Sequence, residues 1–375
     1  MIELADIFRR FAPDYLRLHD DTMLPSHRRA IDDILSCRTE TMGGHLYQCD
    51  TCHSPVFSYH SCKNRSCPKC HGEQTELWLE LRRQEMLPVP YFHLTITVPE
   101  SLRPLFRAHQ KDLYHLFMQT CTAAILKMAK DSRHLGAMVG ILMVLHTWTQ
   151  QLIYHPHLHC LVTGGGVNDN GTWQPARKKF LFPLRAFSRL VRGKFMDCLK
   201  QKRPDFILPA TAWKQQWVTH CSPWGQGEQA VLDYLGRYVF RVAINNSRIV
   251  AMDDDSVTFL YKDRKKNKKR TCRLRGEEFM RRFLQHVLPR GFHKIRYGGL
   301  WHPARRALAQ KIRESLPPGK STMLTESSAT EENPTPEKGS PRIATGSPCP
   351  CCASGRLIMV RRIPKPRLPP LARSP

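Results

Sequence analysis

The chain is short of acidic residues. Its 375 residues carry 32 Asp and Glu against 58 Lys and Arg, a formal charge of +26. A protein this basic repels itself unless something anionic normally lies against it, so nucleic acid is the first candidate partner and an anionic membrane surface the second. Long apolar runs are also missing. None approaches the roughly 20 residues that a spanning helix needs, which argues against a membrane protein. Residues 1–10 contain no apolar signal-peptide region, so the expected compartment is the cytoplasm. No repeat of 20–50 residues is visible, and the stretch 320–347 is almost devoid of large apolar side chains. That composition cannot build a core and predicts a disordered linker.

Cysteine, by contrast, is plentiful and uneven. Of 14 cysteines, five fall between Cys49 and Cys70 and three between Cys349 and Cys352. Paired C-x2-C spacing in an intracellular chain points to metal rather than to a disulfide framework. Cys49/Cys52 and Cys67/Cys70 form two knuckles 14 residues apart, near the spacing of a four-cysteine zinc ribbon holding one structural Zn²⁺. Cys62, His45, His60 and His71 are at hand for a second site or as substitutes in the first. Cys349 and Cys352 make a further knuckle, on its own a weak signal.

Hydrophobic periodicity predicts an α+β chain. Helices are expected from Leu4 through Phe11 and over 26–36, 73–86, 104–129, 183–200, 227–243 and 277–288. Strands are expected over 91–98, 137–148, 157–163 (ended by Gly164, Gly165 and Gly166), 216–221, 249–252 and 257–261. The domains implied are a helical and zinc-binding segment (1–88), a mainly antiparallel sheet domain (89–316) and a low-complexity tail (317–375).

Two motifs carry chemistry. His157 and His159 are two apart on a predicted strand, so both imidazoles share a face while Leu158 packs behind it. This is half of a divalent-metal site. If strands 137–148 and 157–163 form a hairpin, Gln150 near the turn is placed as a third ligand, and His146 lies on the same segment. Tyr234 and Tyr238 lie four apart on a predicted helix, hence on one side of it. Gly236 between them is a poor helix former that leaves room for a DNA strand or another backbone to approach. Arg237 and Arg241 flank the pair and suit phosphate oxygens. Each motif alone has an ordinary structural reading. Together they supply a tyrosine able to attack a phosphodiester and a metal site able to polarise it. The run 262–275, KDRKKNKKRTCRLR, offers Lys265, Lys266, Lys268, Lys269 and Arg270 as further phosphate contacts.

The knuckle segment YQCDTCHSPVFSYHSCKNRSCPKC, the segment VLHTWTQQLIYHPHLHCLVTGGG, the helix YLGRYVFRVAINNSRI and the block LPRGFHKIRYGGL follow one another in an order that resembles the two-tyrosine HUH transposases of bacterial rolling-circle insertion sequences, the ninety-one family. The resemblance spans about residues 49–300. It implies an HUH-endonuclease-like antiparallel sheet flanked by helices. It further implies Mg²⁺ or Mn²⁺ at His157 and His159, with Gln150 as the polar residue ahead of them, and Tyr234 and Tyr238 as nucleophiles. The implied substrate is single-stranded DNA, cut and rejoined at the ends of a mobile element through 5′-phosphotyrosine links. The implied setting is the nucleoid of a bacterial cytoplasm. The alternatives are a plasmid replication initiator or relaxase of the same chemistry, and a zinc-ribbon DNA-binding protein without catalysis. Nothing in the resemblance speaks to the tail, and no oligomeric state follows.

Overall fold

The computed structural model describes residues 1–70, 86–177, 181–208, 210–239, 241–263, 266–317, 343–352 and 354–366, with backbone alone at 228, 229, 232, 233 and 237. The chain is α+β with antiparallel sheets. It divides into two compact units: Met1–Gln74 with Ile244–Val287 and Asn333–Pro375, and Thr75–Ala243 with Leu288–Glu332. Sequence order suggests three successive segments instead. The difference arises because strand pairing and helix packing between distant segments leave no periodic trace in the sequence. Most of the expected helix 73–86 and most of the expected linker 320–347 lie outside the described residues.

The second unit is built on a six-stranded sheet: β3 (Pro90–Thr97), β4 (Met138–Trp148), β5 (Tyr154–Val167), β6 (Trp173–Pro175), β7 (Val218–Gln226) and β11 (Ile295–Gly299). The order is β11-β4-β5-β3-β7, with β6 on β5, and each pairing is antiparallel. β5 therefore lies inside the sheet. The pleat sorts its neighbours by face. Phe92, Leu94 and Ile96 of β3, Ile141, Met143 and Leu145 of β4, and Leu158, Cys160 and Val162 of β5 enter one core with buried residues of the helices Gln110–Lys130 and Leu184–Lys202. Tyr91, Leu142, Val144 and Leu161 line the opposite face, where they pack with Tyr234, Leu235, Tyr238 and Val239.

Gly164, Gly165 and Gly166 do not end the strand as expected; β5 runs through them to Val167. A Cβ on Gly164 would meet the Pro90 carbonyl oxygen at 2.7 Å and one on Gly166 the Met138 carbonyl oxygen at 2.6 Å. Here glycine marks close backbone approach rather than a turn.

In the first unit the helix Leu4–His19 buries Leu4, Ile7, Phe8 and Phe11. Phe8 meets Phe283 of the helix Gly276–Leu284 edge-on, with centroids 5.3 Å apart. Gly276 leaves room for the Phe11 ring, which a Cβ there would strike. Two three-stranded antiparallel sheets complete the unit. One has the order β10-β9-β8, from β8 (Ile249–Met252), β9 (Ser256–Asp263) and β10 (Lys268–Arg275). The other has the order β12-β1-β2, from β1 (Gly44–Cys49), β2 (Pro55–Tyr59) and β12 (Leu357–Ile363). The segment beyond residue 342 is thus folded in part, beginning within the expected linker at 343–347. Among the described residues no helix is long and apolar enough to cross a membrane.

Candidate active site and metal centres

Four histidines converge on the face of the second unit's sheet that packs on the tyrosine helix. His157 and His159 project from β5, with Leu158 buried on the opposite face. His146 of β4 stands directly opposite His157 in the antiparallel register. The ligand atoms of His146, His157 and His159 all lie within 4.8 Å of one another. Gln150, placed by sequence reasoning as the third ligand, sits in the turn beyond Trp148, past the end of β4. Beside the pair the structure sets His146, which the sequence places on the same segment as Gln150. The face it occupies is not readable there, because a strand buried on both faces shows no alternation.

Hydrogen bonds fix the ring tautomers, since a carbonyl oxygen only accepts. His157 Nδ1 donates to the His155 carbonyl at 2.7 Å, which puts its lone pair on Nε2. His146 Nε2 donates to the Tyr238 carbonyl at 2.7 Å, which puts its lone pair on Nδ1. His159 Nδ1 and His93 Nε2 of β3 share a proton at 3.0 Å. Partners of this kind orient metal-binding imidazoles. Burial, with His157 next and the Arg241 and Lys294 charges after, pushes His146 well below the ordinary histidine range. Burial and the neighbouring His146, His157 and His93 do the same for His159. Both are neutral at pH 7, the state that binds metal. Three neutral imidazoles are able to coordinate a divalent metal ion.

The tyrosine helix is not regular. An α-helix runs Gly227–Tyr234, and Leu235–Val239 is a π turn. Gly236 sits in it, exposed, with nothing within 4 Å of a Cβ placed there. Such π turns often mark functional segments. Despite it, both tyrosines face β5. Tyr234 donates its hydroxyl to the His159 carbonyl at 2.6 Å. The Tyr238 ring stacks on the His159 ring at 4.0 Å and on His93 at 4.7 Å. Tyr238 is 8% exposed and Tyr234 not at all, and burial pushes the Tyr234 phenol well above its usual range. Trp224 closes the cluster, its Nε1 donating to the Ala230 carbonyl at 2.7 Å and its ring 5.8 Å from Tyr238.

One consequence is measurable. Tyr234→Phe removes a buried donor from the His159 carbonyl and should cost about 1 kcal/mol of stability. Urea unfolding of the variant beside wild type checks it. Identical midpoints would show that the bond contributes nothing.

Cations surround the histidines unevenly. Arg241 and Lys294 act electrostatically on His146, and Lys294 Nζ reaches the Arg241 carbonyl at 3.5 Å. The Arg237 side chain and Lys265 lie outside the described residues. Lys266, Lys268, Lys269 and Arg270 are exposed, but they belong to the first unit, in the β9–β10 hairpin. Arg270 pairs there with Asp263 at 3.3 Å.

Also in the first unit, the cysteines expected to share one ion separate into two quartets. Cys67 and Cys70 join Cys37 and Cys62; Cys49 and Cys52 join Cys349 and Cys352. In the first quartet Sγ–Sγ distances are 3.5 Å for Cys37–Cys70, 3.5 Å for Cys62–Cys70 and 3.7 Å for Cys67–Cys37. A tetrahedron with Zn–S arms of about 2.3 Å has edges of about 3.8 Å, so these four thiols fit zinc. Cys37 follows the helix Pro25–Ser36 at no recognisable knuckle spacing, and sequence reasoning missed it. His93 was also missed, although the alternation of YFHLTITV puts it on the face opposite Phe92 and Leu94.

Residues 140–308 match the family described as "Putative transposase", and residues 7–98 match "Transposase zinc-binding domain". A protein named "Putative transposase y4qJ" from Sinorhizobium fredii is 39% identical over 317 residues, 79% of each chain. The "Transposase for insertion sequence element IS801" of Pseudomonas savastanoi pv. phaseolicola is 26% identical over 313 residues, 76% of this chain and 73% of its own. No solved structure matches. With a zinc-binding domain ahead of a transposase domain, and that identity along most of its length, the chain belongs to the IS91 family of transposases.

Proposed function

We propose that this transposase cleaves and rejoins single-stranded DNA at the ends of a mobile element through 5′-phosphotyrosine links, with Tyr234 and Tyr238 as nucleophiles. The observation that carries the reading is that both tyrosines touch one residue, His159, of the histidine cluster. His146, His157 and His159 would hold Mg²⁺ or Mn²⁺, with Gln150 retained as a candidate ligand from the turn. When bound, the metal polarises the scissile phosphate and stabilises charge on the leaving oxygen.

The chain's own residues do the rest. A tyrosine oxygen attacks phosphorus, the P–O3′ bond breaks, and the 5′ side stays on the protein while the 3′ hydroxyl leaves. Reversal by another 3′ hydroxyl reseals the strand without ATP, since the phosphotyrosine keeps the bond energy. Two tyrosines serve two strand ends in turn. Arg241 and Lys294 balance phosphate charge beside the cluster, with Arg237 on the nucleophile helix proposed to assist. The basic β9–β10 hairpin with Lys266, Lys268, Lys269 and Arg270 tracks the DNA backbone, and Lys265 of the same basic run is proposed to assist. The setting is the bacterial cytoplasm, at the nucleoid.

Single-stranded oligonucleotides carrying the element ends, incubated with Mg²⁺, Mn²⁺ or EDTA, test the reading. Cutting is expected with either metal and not with EDTA. A chain that shifts the oligonucleotide in a gel yet never cuts it is a DNA-binding protein, and the reading fails.

A further inference from the structure

The quartet of Cys49, Cys52, Cys349 and Cys352 joins sulfurs from opposite ends of the chain. Cys49 Sγ is 3.7 Å from Cys352 Sγ, and Cys52 Sγ is 3.7 Å from Cys349 Sγ, pairs 303 and 297 residues apart in sequence. A disulfide requires about 2.05 Å. The observed spacing instead matches the roughly 3.8 Å edge of a ZnS₄ tetrahedron. All four sulfurs lie within 4.8 Å of one another.

Backbone donors ring the sulfurs. Thr51 and Cys52 turn their backbone N–H groups to Cys49 Sγ, both at 3.4 Å. The backbone N–H of Cys351 points at Cys349 Sγ at 3.3 Å, and that of Gly355 at Cys352 Sγ at 3.4 Å. Backbone N–H groups aimed at ligand atoms orient them for a metal. Gly355 presses so close that a Cβ would strike Cys49 Sγ. Asp50 Oδ1 accepts from the Arg356 backbone N–H at 2.8 Å, tying the two knuckles together.

The sheet beside this quartet is poorly supported by its own packing. Its buried apolar cluster is Tyr47, Cys49, Cys349 and Leu357, with Val56, Ile343 and Cys352 partly buried. The strands meanwhile expose Phe57, Ile358, Met359 and Val360, each at least half. So small a core does not hold a three-stranded sheet without a staple.

We infer that Cys49, Cys52, Cys349 and Cys352 bind a second structural Zn²⁺, separate from that of Cys37, Cys62, Cys67 and Cys70, which clasps the C-terminal segment to the N-terminal zinc domain as strand β12. The zinc-binding domain is then discontinuous: the match over residues 7–98 contains one and a half of its two sites. Cys351, exposed between the two ligands of its knuckle, takes no part.

Zinc per chain decides the matter. It is measured on full-length protein purified without chelator under reducing conditions, in a His157→Ala, His159→Ala background so that the imidazoles hold none. Two equivalents are expected. Cys349→Ser with Cys352→Ser should leave one, Cys37→Ser with Cys62→Ser should leave one, and Cys351→Ser should keep both. Limited proteolysis of the Cys349→Ser, Cys352→Ser protein should release the C-terminal segment at protease levels that spare the parent, which separates loss of the clasp from global unfolding. One equivalent in the parent, or two in the Cys349→Ser, Cys352→Ser protein, overturns the inference. Failure of these four cysteines to titrate as thiols after denaturation with a chelator, the mark of disulfides, does so too.

Discussion

Alanine at both His157 and His159 should abolish strand cleavage while leaving DNA binding nearly intact. The two rings project from the strand inside the sheet, and their protons are directed by the His155 carbonyl and by His93. Each ring is therefore held in a fixed orientation that suits the ligand role proposed for it. A bound metal contributes several kcal/mol of transition-state charge stabilisation. At about 1.4 kcal/mol per decade, its loss slows cutting by at least roughly a thousandfold. Affinity for DNA comes mainly from phosphate contacts spread over a chain of charge +26, so the Kd should move little. Cleavage rate and filter binding on the same oligonucleotide separate the two effects. Cutting at the wild-type rate in the double variant would remove the histidines from the chemistry.

What the sequence made legible, and what it hid, follows from the range of the interactions involved. The pairing of His157 with His159 needs only the period of a strand, and the facing of Tyr234 and Tyr238 needs only helical spacing. Both are local rules, and the geometry agrees with them even across an unforeseen π turn. His93 was readable on the same rule. His146 was noted on the segment ahead of the pair, but its face could not be assigned, because Val144, Leu145 and their neighbours are buried on both faces of β4. The cysteine pairing was beyond local reading altogether. Knuckle spacing says that two thiolates grip one ion, and it says nothing of which other two complete it. Cys52 finds Cys349 only because β12 returns to β1, and that pairing leaves no period in the sequence. Composition misled at the tail for a related reason, since a segment with few apolar residues folds when sulfur ligands replace a core.

The tyrosines carry the central claim. With both hydroxyls removed, Tyr234→Phe with Tyr238→Phe, the chain should bind DNA, keep its metal and form no covalent link to DNA. Either single variant should lose transposition while still forming an adduct through the remaining tyrosine. Their unequal settings make the two singles differ. Tyr238 retains some solvent access and lies flat on the His159 ring, whereas Tyr234 is fully buried and holds the His159 backbone. The Tyr234→Phe protein should therefore give the faster adduct of the two singles. The most direct measurement is mass spectrometry of peptides from wild-type protein after reaction with an oligonucleotide bearing the element end and Mn²⁺. The predicted result is a nucleotide-bearing peptide modified at Tyr238 or Tyr234, and none in the double variant. An adduct on any other residue, or one that persists when both tyrosines are phenylalanine, would contradict the two-tyrosine mechanism.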